Sequence, residues 1–146
     1  MNGYSALRQY RTMATHSSIA EASPHRMITL LMDGALERIS MAKGHVMRHE
    51  TAEKGQRIGS AISIIDGLRA SLDMENGGEM AANLASLYEY MARQLLDANL
   101  NDCEKRLDEV SSLLREIKEA WVAIPVELHQ GPSLGAATPL QSTANA

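Results

Sequence analysis

Apolar residues recur at helical spacing along most of this chain, and the clearest run lies between Gly77 and Trp121. Cys103, Leu107, Val110, Leu114, Ile117 and Trp121 are separated by steps of 4, 3, 4, 3 and 4, which places all six on one stripe of a helix. Upstream, Met80, Leu84, Leu87, Met91, Leu95 and Ala98 repeat the arrangement. The Asn99-Leu100-Asn101 break between the two stripes is short, so the two helices should run antiparallel. It predicts Asn101 as an N-cap, with Glu104 three residues on completing a capping box, and Asn99 in the left-handed conformation that closes the preceding helix.

Two further helices precede this pair. Ser23-Pro24 is a start signal, because Ser caps and Pro is tolerated at the first helical position, where its missing N–H costs nothing. The helix that follows carries Ile28, Leu31, Ala35, Ile39, Ala42 and Val46 on one stripe and fades in the polar run from Arg48 to Glu53. A second stripe runs through Ile58, Ile62, Ile65, Leu68 and Leu72, widened by Ala61 and Ile64, and ends at the breaker Asn76-Gly77-Gly78. Short connections between long amphipathic helices predict an all-α fold, an antiparallel up-down four-helix bundle over residues 23–124. Residues 1–22 are weakly patterned and read as a mobile N-terminal arm that docks through Tyr4, Leu7 and Tyr10. From 125 to 146 Gly, Pro, Ser and Thr dominate and no apolar period survives, which predicts a disordered tail.

Composition narrows the function. The chain has 146 residues, 45% of them hydrophobic, but no Phe and only 3% aromatics, so the core must be built from Leu, Ile, Ala and Met. A formal net charge of −4, with lysines and arginines dispersed among acids, offers no field for nucleic acid. The single cysteine, Cys103, forms no internal disulfide, and no apolar run is long enough to span or insert into a bilayer. A cytoplasmic address is the expectation.

Enzymatic readings fail on residue supply. No Glu-x-x-His pair suits a di-iron bundle, and the histidines at 16, 25, 45, 49 and 129 are scattered. His45 and His49 alone stand at one-turn spacing, without a third metal ligand, and solvated histidines are expected. Gly77-Gly78 follows a helix instead of a strand and lacks a P-loop lysine, so it reads as a turn. Cys103 sits on an apolar stripe and reads as a buried thiol. Trp121 and Tyr88 read as core, while Tyr90, two residues off, faces another way. The sequence therefore predicts no catalytic residue, no metal site and no cofactor.

What remains is surplus apolar surface. Met27, Met41, Met80 and Met91 are most simply core filler. Leu36, Ile64, Leu96, Leu100 and Leu113 exceed what a narrow seam requires, so some must face outward, and a wide apolar surface points to a partner. The groove candidates are Ile58, Ile62, Ile65, Tyr90, Leu96 and Leu113. Two other readings stay open on the residues alone: a bundle relaying a phosphoryl group through His45, and one whose spare surface forms a homodimer.

Several ordered blocks resemble the flagellar secretion chaperone family FliS across about residues 4 to 124. They are Leu7-x-x-Tyr10, SPHRMITLLMDGA from Ser23, AISIIDGLRASLD from Ala61, GGEMAANLASLYEYM from Gly77, DANL from Asp97 and EAW ending at Trp121. The resemblance implies a non-catalytic bundle around which the C-terminal segment of flagellin wraps, one to one, held from premature polymerisation before delivery to the flagellar type III export apparatus. It makes Leu7 and Tyr10 candidates for contact or gating, and admits export-gate or regulatory proteins as further partners. Met32 stands where the family often has an aromatic residue, which is expected to reshape one pocket, and the tail from Gly131 is unlike a bundle element.

Overall fold

Helical periodicity becomes four helices in the computed structural model, which describes residues 23–125. They are α1 (Pro24–Met47), α2 (Thr51–Ala70), α3 (Gly78–Asn101) and α4 (Glu104–Val122), with no strand among the described residues. Each helix packs on its neighbours in a closed ring, α1 on α2, α2 on α3, α3 on α4 and α4 back on α1. That is an antiparallel up-down bundle, joined by three short connections. The arm 1–22 and the tail beyond Pro125 lie outside the described residues.

The start of α1 forms as its residues dictate. Ser23 is extended, its Oγ accepts the Arg26 N–H at 3.1 Å, and Pro24 occupies the first turn. The α1 stripe is buried throughout, from Ile28 to Val46. Met32 is also fully buried and belongs to the core. The α4 stripe holds at Leu107, Val110, Leu114 and Trp121, while Cys103 and Ile117 are only half-buried. Each fully buried Leu or Ile contributes roughly 1.5–3 kcal/mol relative to exposure.

The α3 stripe is offset from its expected face. Leu84, Met91, Leu95 and Ala98 are buried as expected, but the other core positions are Ala81 and Tyr88, and Met80 and Leu87 lie exposed. Met80 and Leu87 sit one position before Ala81 and Tyr88, a rotation of about 100°. The helix turns its centre of burial toward the α2 side, because it must seal against two neighbours and not one. Tyr88, 2% exposed, fills that position, and burial raises the pKa of its phenol.

The α3–α4 corner also differs from expectation. Helix α3 runs through Asn99 and ends at Asn101, Asp102 takes the left-handed conformation (φ 51°, ψ 43°), and Cys103 stands at the N-cap with no side-chain cap. Asn101 instead donates from its amide nitrogen to Asp97 Oδ1 at 2.8 Å. The reason is tertiary. Lys54, on α2, is 5% exposed, and its ammonium donates to Asn99 O at 2.8 Å and Asp102 Oδ1 at 2.5 Å. A buried cation must be paired, and Asp102 supplies the carboxylate from the residue that caps α3.

At the opposite end of the bundle, α1 and α4 are clamped by His25 and Trp121. Their rings stack with centroids 4.5 Å apart and planes at 9°. Trp121 Nε1 donates to His25 O at 2.9 Å, and His25 Nε2 lies 2.7 Å from Trp121 O. A carbonyl can only accept, so Nε2 carries a proton. This corrects the expectation of solvated histidines: His25 is buried, and His45, half-buried, pairs with Glu50 through Nδ1 at 2.7 Å. Ion pairs from Lys43 to Asp108 and from Lys118 to Asp33 lace the same α1–α4 seam.

Candidate functional site

Two of the six expected groove residues are core residues. Ile58 and Ile65 are 1% and 0% exposed and belong to the central cluster with Leu68, Met91 and Leu95. They mark the axis of the α2 stripe, and stripe phase alone does not distinguish its centre from its rim. Ile64, counted among the surplus, is buried too. Ile62 and Leu113 are half-buried and pack against the cluster from outside. Leu7 and Tyr10 lie outside the described residues.

Tyr90 is half-buried and tied down. Its hydroxyl donates to Glu109 Oε2 at 2.6 Å across the α3–α4 seam, and that bond to a carboxylate raises its pKa by favouring the neutral phenol. One turn away, Arg106 pairs with Asp97 and donates to Gln94 Oε1 at 2.6 Å. The α3–α4 seam is thus bridged by polar groups, and Tyr90 serves that bridge.

The α2–α3 side is different. Leu96 and Leu100 on α3 are 52% and 73% exposed, large values for leucines one turn apart. Two cross-helix approaches set the register. Asn99 Oδ1 lies 3.9 Å from where a Cβ would stand at Gly55, and Arg69 Nη2 lies 3.9 Å from Glu89 Oε2. Between those points, one flank of α2 carries Gly55, Gly59, Ile62 and Asp66 at steps of 4, 3 and 4, and α3 carries Ala92 and Leu96. Gly59 is exposed, with no atom within 4 Å of its absent Cβ. Exposed Leu96 and Leu100 on α3, with open space at Gly59 on α2, make an apolar face of the kind that another helix or extended chain covers.

A second cleft, of about 410 Å³, lies in the α1–α4 seam and is lined by Leu36, Arg115, Lys118, Glu119, Val122 and Ala123. Leu36 was legible as surplus. Val122 and Gly59 were not, since neither stands on an apolar stripe. Among the described residues no cluster of three metal-ligating side chains forms, and no helix is long and apolar enough to cross a membrane.

Comparison with known proteins adds the biological frame. The model of the family described as "Flagellar protein FliS" matches residues 6–127. The chain is 48% identical over 124 residues to the flagellar secretion chaperone FliSB of Pseudomonas aeruginosa, covering 85% of this chain and 98% of that protein. It is 42% identical to the flagellar secretion chaperone FliS of Salmonella typhimurium, over 82% of this chain and 90% of the relative, and 40% identical to that of Vibrio cholerae, over 85% and 91%. A non-enzymatic bundle with an open apolar face, aligned over nearly the full length of these relatives, belongs to the FliS family of flagellar secretion chaperones.

Proposed function

We propose that this chaperone binds the disordered C-terminal segment of flagellin, one to one and in the cytoplasm, prevents its premature polymerisation and supports its delivery to the flagellar type III export apparatus. The observation that carries the reading is the apolar surface left in water on this side of the bundle, Leu96 and Leu100 of α3 exposed and the backbone of α2 open at Gly59. A flagellin terminus that assembles through amphipathic helices lacks structure alone, and a trough that accepts its apolar side chains shields them. Ordering the client costs on the order of 2–5 kcal/mol or more, and a wrapped segment burying roughly 1,000–3,000 Å² compensates. Leu7 and Tyr10 stand as candidates for contact or gating of the same face. Export-gate or regulatory proteins of the flagellar system are the further partners this reading admits.

The test compares binding of full-length flagellin with flagellin lacking its C-terminal segment. The first should bind at equal stoichiometry and the second should not; equal affinity for both would refute the assignment. Leu96→Glu and Leu100→Glu should each weaken binding without lowering the melting temperature, because both side chains are already in water.

A further inference from the structure

We propose that the cleft in the α1–α4 seam is a docking site for this chain's own C-terminal segment, which turns back at Pro125 and seats Val126 and Leu128 against Leu36 and Val122. The cleft has a volume of about 410 Å³, and five of its six lining residues, Arg115, Lys118, Glu119, Val122 and Ala123, belong to α4 or its C-cap. Leu36 supplies the α1 side; it is half-buried and packs on the core. Val122 is 51% exposed, an apolar side chain left in water at the point where the helix ends.

The occupant follows from where the described chain stops. Helix α4 closes at Ala123, Ile124 packs back against the core, and Pro125 follows. Proline has no N–H and disfavours the helical conformation at the residue before it, so α4 does not run on along its axis. Val126 and Leu128 then stand three and five residues after Ala123, a cleft-lining residue. At 1.5 Å per residue, the middle of the cleft near Glu119 lies about 9 Å back along α4 from Pro125, and three extended residues cover about 10 Å. Leu128 therefore reaches it.

Size and charge favour this occupant over others. From Arg115 to Ala123 the α4 wall is about 12 Å long, the length of roughly four extended residues and short for a partner helix of ordinary length. The charges at the cleft balance, Arg115 and Lys118 against Glu119 and Asp33, with Lys118 paired to Asp33, so apolar fit and proximity decide what binds. A tethered segment has an effective concentration in the millimolar range, which a free chain must exceed. The family match ends at residue 127, so Leu128 and all that follows lie outside the stretch shared with the family. In this arrangement the α1–α4 seam is covered in cis, any partner for it must displace the tail, and the expectation of disorder is confined to the residues after Leu128.

Methyl-labelled full-length protein in solution tests the proposal by NMR. Nuclear Overhauser contacts should join the Leu128 methyls to those of Leu36 and Val122. Leu128→Glu should shift the Leu36 and Val122 methyl resonances and leave those of Leu96 and Leu100 in place, while Leu140→Glu should shift none of them. The contacts should survive dilution. Unmoved Leu36 and Val122 resonances in Leu128→Glu, or equal shifts in Leu140→Glu, overturn the proposal. Contacts that vanish on dilution would make the occupant a second copy, and shifts from Ile19→Glu without any from Leu128→Glu would make it the N-terminal arm; either result also overturns it.

Discussion

Gly59 separates what stabilises this bundle from what its exposed face is for. Glycine in a helix interior is about 0.5–1 kcal/mol less favourable than alanine, because its backbone loses more freedom on folding. Such a residue is normally retained for a left-handed conformation or a close packing contact, yet Gly59 sits within regular α2 and its missing Cβ would meet no atom within 4 Å. Gly59→Ala should therefore raise stability by about 0.5–1 kcal/mol. With roughly 4–8 °C per kcal/mol for a domain of this size, the melting temperature should rise by about 2–8 °C. Flagellin affinity should move the other way, slightly for Gly59→Ala and by tenfold or more for Gly59→Tyr, whose ring would occupy the open space beside Gly59. Circular dichroism melts and calorimetric titration of the same preparations read both quantities. A fall in melting temperature for Gly59→Ala would show that the position is packed. Undiminished binding by Gly59→Tyr would show that the client does not lie on the α2–α3 face.

Three other outcomes follow from polar groups that the fold pairs or partly buries. Trp121→Phe keeps a ring against His25 but deletes the Nε1 donor to His25 O, and should cost about 1 kcal/mol in urea unfolding, against about 3–5 kcal/mol for Trp121→Ala. Asp102→Ala removes the carboxylate partner of the buried Lys54 ammonium, leaving its bond to Asn99 O, and places alanine at φ 51°, so it should cost about 2–4 kcal/mol; a loss below that of Lys54→Met would refute the pairing. Asp66 has a raised folded pKa, so its ionised form opposes folding. Its penalty is present above the folded pKa and relieved as pH falls through it. Asp66→Asn should melt above wild type at neutral pH, with the gap closing in acid, and a gap that widens there would reverse the sign.

The helices, their order and their family were legible in the residues themselves. Ser23-Pro24 marks a start, Asn76-Gly77-Gly78 a break, and the Leu107-Val110-Leu114-Trp121 period a buried stripe, because capping chemistry and 3.6-residue periodicity act over one or two turns of local chain. The surface was not legible in that way. Ile58 and Ile65 satisfy the same period whether they line a rim or a core, and contact with α3 put them inside. Met80 and Leu87 lost their places to Ala81 and Tyr88 when α3 rotated to seal two neighbours at once. His25, Lys54 and Asp102, polar residues that local pattern assigns to water, became structural only when the fold brought Trp121 and Asn99 beside them. Periodicity is a property of one helix, whereas burial, pairing and the leucines left exposed on α3 are properties of how four helices meet.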